Sequence, residues 1–99
     1  MTQTATTLKA NVTSAMEFSA SMAARKLGKS HAVAGTPELQ GVDLYSVVIP
    51  AVRRDITAYN QDVLAFPKVT SNEDIKAAAK LYGEVFYAEY HKAYTRFSK

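Results

Sequence analysis

Apolar residues recur along this chain in threes and fours rather than in alternation, and that period belongs to helices. Leu8, Val12, Ala15, Met16, Met22 or Ala23, and Leu27 form a first stripe. Ser14 and Glu17 have capping-box spacing, which predicts a helix over 14–27, or a longer one from Thr7. Either version ends at Gly28, where Arg25, Lys26 and Lys29 crowd the carbonyl end and complement its partial negative charge. Residues 28–42, GKSHAVAGTPELQGV, then read as a linker punctuated by Gly28, Gly35, Pro37 and Gly41. Thr36-Pro37-Glu38 suggests a brief helical turn within it.

The second stripe is Leu44, Val48, Val52, Ile56, Tyr59, Val63 and Phe66. Val42 to Ile49 is rich in β-branched residues and reads also as a strand. The unbroken spacing favours a helix over 43–66, capped by Asp43, bent or started near Pro50 and stopped by Pro67. The third stripe is Ile75, Ala79, Tyr82, Phe86, Tyr90, Ala93 and Phe97. Thr70 to Asp74 supplies caps and first-turn acids, while Lys92, Arg96 and Lys99 crowd the far end, so a helix over 72–97 is predicted. Such a helix is about 38 Å long, more than a small core needs.

The expected fold is therefore all-α, with three helices in one domain over 14–99 and an arm over 1–13. The long C-terminal helix should pack antiparallel on the middle one across the short 67–71 connection. The N-terminal helix or arm hangs on the linker and is expected on this body or on a neighbour.

Length and charge refine this. Ninety-nine residues make one domain, and an apolar fraction of 47% is ordinary for a globular chain. No cysteine is present, which removes disulfides and thiolate chemistry and suits a reducing compartment. The net charge of +3 lies at the front: within residues 1–36, Lys9, Arg25, Lys26 and Lys29 stand against Glu17 alone. The longest apolar run, Val47 to Val52, is too short to span a bilayer, so no membrane partner is expected. No secretory apolar segment is seen, and Asn11-Val12-Thr13 reads as an accidental sequon. The expected setting is cytoplasmic, or a particle assembled in a reducing compartment.

Candidate chemistry is sparse. Gly28-Lys29-Ser30 ends like a phosphate loop, but the first glycine of that motif falls on Ala23. A helix also precedes the fragment instead of following it, so the wrong helix end would face phosphate. His31 and His91 lack a second ligand at metal spacing, and Asp55 and Asp62 are adequately explained by solvation and Arg53 or Arg54. No cofactor, no metal and no enzymatic activity are expected.

Tyrosine is the distinctive residue. Tyr82, Tyr87, Tyr90 and Tyr94 fall in the last helix, and Tyr87, His91 and Tyr94 make a second stripe outside the core-facing one. Surface tyrosine offers large contact area at low entropic cost, which suits protein interfaces. Gly83, following Ala77, Ala78 and Ala79, makes a small-residue patch where another helix can approach. The function expected is a non-enzymatic structural or accessory subunit, working through protein–protein contacts or self-association in a virus particle or other multi-subunit complex. The alternative is a nucleic-acid-binding accessory using Lys9, Arg25, Lys26, Lys29, Lys92 and Arg96.

Overall fold

A computed structural model of the chain describes residues 10–65 and 68–98, apart from the Asn11 side chain. It contains three helices, α1 (Ala10–Ala34), α2 (Val42–Gln61) and α3 (Asn72–Phe97), and no strand among the described residues. The all-α expectation holds, and the segment 43–49 is helical despite its β-branched content. Lys9, Leu8, Phe66 and Pro67 lie outside the described residues, as does most of the expected arm.

The first helix differs most from expectation. It starts by Ala10, so Ser14 sits inside it, and it runs straight through Gly28 to Ala34. Gly35 supplies the stop, with φ 75°. Its N–H reaches Ala32 O at 3.3 Å and the Thr36 N–H reaches His31 O at 2.9 Å, the paired bonds of a Schellman ending. The connection to α2 is thus short, and residues 36–40 hold no helical turn.

Gly28 has another duty. A Cβ placed there would lie 2.6 Å from Tyr90 O, 2.9 Å from Ala93 Cβ and 3.1 Å from Tyr94 N. Only hydrogen fits where α1 crosses the α3 backbone. Ala20 and Ala24, both fully buried, continue this small-residue ridge at spacings of four toward Met16 and Val12. Opposite stands a row of large rings: Tyr82, Phe86 and Tyr90 are buried, with Phe86 6.0 Å from Tyr82 and 6.5 Å from Tyr90 in stacked orientations. Small residues on one helix face large ones on the other, the complementarity that close packing requires. The principal packing is therefore α1 on α3, with α2 a lesser contributor.

Direction follows from the pairs. Arg25 meets Glu89 and, further along both helices, Lys29 meets Phe97, so α1 and α3 run parallel. The second helix returns antiparallel, since Tyr45 shares a cleft with Tyr87 while Ile56 shares one with Ile75. Leu44, Val48, Val52 and Ile56 fill its buried side as the spacing predicts.

Its ends are set by local bonds. Gly41 rather than Asp43 occupies the N-cap, and Asp43 sits in the first turn. Pro50 lies inside the helix without ending it. The helix stops at Gln61, short of the expected 66, because side chains capture the backbone there. Asp62 Oδ1 accepts from Leu64 N–H at 2.9 Å. Asn60 exchanges two bonds with Val69, accepting at 2.8 Å and donating at 2.7 Å. These local bonds compete successfully with continued helix. Val63 is consequently exposed instead of continuing the stripe. At α3 the expected cap holds: Ser71 Oγ accepts from Asp74 N–H at 3.1 Å.

Candidate functional site

The residues singled out by sequence fall on three surfaces. The first lies under the 36–41 connection. Tyr90 is fully buried, and its hydroxyl accepts from Leu39 N–H at 2.9 Å and lies 2.9 Å from His31 Nδ1. It donates to that nitrogen when the imidazole proton sits on Nε2. Burial raises the Tyr90 phenol above its ordinary value, so the hydroxyl keeps its proton. Tyr94 donates to Thr36 O at 2.6 Å, and His91 Nδ1 pairs with the Glu38 carboxylate. A carboxylate only accepts, so Nδ1 carries the proton and the orphaned Nε2 is a bare lone pair in the neutral ring. Two members of the expected outward stripe, His91 and Tyr94, thus serve as anchors for the chain's own connection.

The second surface is the cleft between α2 and α3. Tyr87 is 52% exposed and stands edge-on to His91 at 4.3 Å between ring centroids. Together with Tyr45, Ala79 and Gly83 it lines a hollow of about 600 Å³ edged by Lys76, Lys80 and Glu84. A Cβ at Gly83 would meet only Val48 Cγ1, at 3.8 Å, so among the described residues no helix uses its smallness. Exposed Ile49 and Ile75 extend the apolar strip through an adjoining pocket.

The third surface gathers the basic residues. Arg25, Lys26 and Lys29 from α1 and Lys92 and Arg96 from α3 edge one open groove of about 1100 Å³. Arg54 of α2 joins them, a residue the sequence reading left out. Ala23, Ala51, Tyr82 and Ala93 form the floor, and Phe18, Met22 and Phe97 stand along the sides. The two carboxylates present are engaged. Glu89 accepts from Arg25 Nε at 3.0 Å and Lys92 Nζ at 3.4 Å, and the Arg25 hydrogen bond holds it below the usual glutamate value. Burial raises Asp55 above the ordinary aspartate value, against the Ser19 hydrogen bond and the Arg54 charge. Among the described residues, no ion pair takes up Lys26, Lys29 or Arg96. Lys29 and Arg96 instead sit 5.1 Å and 5.7 Å from the centre of the Phe97 ring.

His91 faces Glu38, not Asp55 or Asp62, and Asp62 caps a helix end. Among the described residues no group of three or more His, Asp or Glu is placed to hold a metal ion, and no helix is long and apolar enough to cross a membrane. No family model matches the chain, and no curated protein or solved structure matches it either.

Proposed function

We propose that this chain is a non-enzymatic structural or accessory subunit that acts through protein–protein contacts in a larger assembly, a virus particle or another multi-subunit complex. One observation carries the reading: large apolar side chains stand uncovered along the α2–α3 cleft, where Tyr45, Ile49 and Tyr87 adjoin the open small-residue patch at Gly83. Contiguous apolar strips of this kind mark contact surfaces. Tyrosine rings flanked by lysines and a glutamate resemble the composition of a contact core with a polar rim. The absence of cysteine suits assembly in a reducing compartment.

The test is size-exclusion chromatography with light scattering, joined to affinity capture from native extract. Self-association or one avid partner is expected, abolished by Ile49→Lys with Tyr87→Ala while the thermal transition stays intact. A strict monomer that captures nothing counts against the reading. A second reading, a nucleic-acid-binding accessory, has the convergence of Arg25, Lys26, Lys29, Lys92 and Arg96 in its favour. Gel shifts at two salt concentrations separate the two, since phosphate binding must weaken steeply with salt.

A further inference from the structure

We propose, building on the protein-contact role above, that the groove lined by α1, α2 and α3 is a second docking site, and that its occupant is an acidic amphipathic helix of a partner protein. Its sides are unusually apolar for solvent: Phe18 is 69% exposed and Met22 53%. The floor is made largely of alanines, Ala23, Ala51 and Ala93. Short side chains there leave depth for the branched or aromatic knobs of another helix.

Length agrees with this occupant. The lining runs from Phe18 to Lys29 on α1, about 17 Å at the helical rise. Three turns of a guest helix, anchored at i, i+3 or i+4, and i+7, cover that span.

Charge selects the guest. Lys26, Lys29 and Arg96 border the apolar strip without carboxylate partners among the described residues. A guest with apolar anchors on one side and glutamates flanking them satisfies floor and rim together. A second copy of this chain is a poor fit, because its own +3 charge opposes the basic rim. Residues 1–9 contain no acidic side chain and supply no complement either.

The test titrates the full ¹⁵N-labelled chain with a 15-residue peptide carrying leucine and phenylalanine on one helical face and glutamate on the other. A composition-matched scramble and a 15-mer of thymidylate are run beside it. Saturable binding is expected, with amide shifts centred on Ala23, Ala51 and Ala93. Adding Lys26→Glu, Lys29→Glu and Arg96→Glu should weaken it about tenfold or more, chiefly as a loss of rim attraction. Equal binding of the scramble, tighter binding of the oligonucleotide, or no saturation at millimolar peptide overturns the proposal. Shifts centred on Gly83 and Tyr87 would also overturn it while leaving the protein-contact role standing. That role falls separately, if the unmodified chain is a monomer that captures no partner.

Discussion

The Tyr90 hydroxyl concentrates several dependencies in one atom. It satisfies the backbone N–H of Leu39, meets His31 at the end of α1, and belongs to a ring buried in the core. Removing it leaves a covered donor without a partner, which costs more than the net worth of an average hydrogen bond. Tyr90→Phe should therefore lower stability by about 1–3 kcal/mol in urea denaturation. The same substitution at exposed Tyr87 has no such donor to strand and should leave the midpoint unchanged.

Two carboxylates in the basic groove carry opposite signs. Burial raises Asp55, so the folded state binds its proton more tightly than the unfolded chain does. This deficit is absent below the ordinary value of 3.8, grows as pH rises through the folded value, and is complete above it. Asp55→Asn, which keeps an acceptor for Ser19, should raise the melting temperature at pH 7 and lose that advantage in acid. Glu89 is lowered by Arg25, so its contribution is present above the ordinary 4.5 and disappears as pH falls through the folded value. Glu89→Gln should lower the melting temperature at pH 7 and match the parent in strong acid. Identical slopes for both variants would contradict the assigned causes.

At the scale of helices, two interior glycines invite opposite substitutions. Glycine costs a helix about 1 kcal/mol relative to alanine, so propensity alone favours replacing either. Gly83 has room for a methyl group. Gly83→Ala should stabilise the protein by about 1 kcal/mol, unless an assembled partner needs the space, when assembly alone suffers. Gly28 has none, because it is obstructed by α3 backbone atoms of Tyr90 and Tyr94 and by the Ala93 Cβ, none of which can swing away. Gly28→Ala should destabilise the protein by about 1–3 kcal/mol by forcing the helices apart. An isolated α1 peptide should respond the other way and gain helicity, which circular dichroism can read. Local marks alone put the end of α1 at the wrong glycine. Gly28, flanked by Arg25, Lys26 and Lys29, has every local mark of a terminus. Gly35 has the same marks more weakly and is the actual one. A repeat of small residues at Ala20, Ala24 and Gly28 was the signal available for a close crossing.

At the scale of the molecule, the extents are 41 × 33 × 20 Å. Twenty ångströms is about two helix diameters, so the body is thin. A thin arrangement of three helices covers the inner side of each and leaves outer apolar residues in water. Hence Phe18 and Met22 on one face, and Tyr45 and Ile49 on another, stay exposed. Ile49→Lys should change unfolding free energy by less than about 0.5 kcal/mol, since the site is outside the core. Its effect should appear in assembly, measured by light scattering.

Helix positions were legible from local sequence because periodicity, caps and breakers act over a few residues. Leu44, Val48, Val52 and Ile56 of α2, Tyr82, Phe86, Tyr90 and Ala93 of α3, the Ser71 cap and the all-α class belong to that short range, whereas Val63, Ile75 and Phe97 continue the same spacing and are exposed. What sat across from each stripe did not belong to it. Whether a glycine ends a helix or admits a neighbour depends on a backbone some sixty residues away. Whether a tyrosine stripe faces water depends on where the 36–41 connection lies, and here it covers His91 and Tyr94 but not Tyr87. Five scattered cations became one rim only because α1 and α3 run parallel. Short-range preferences decided where helices form, and the packing of side chains distant in sequence decided how Gly28 is used and which surfaces stay open.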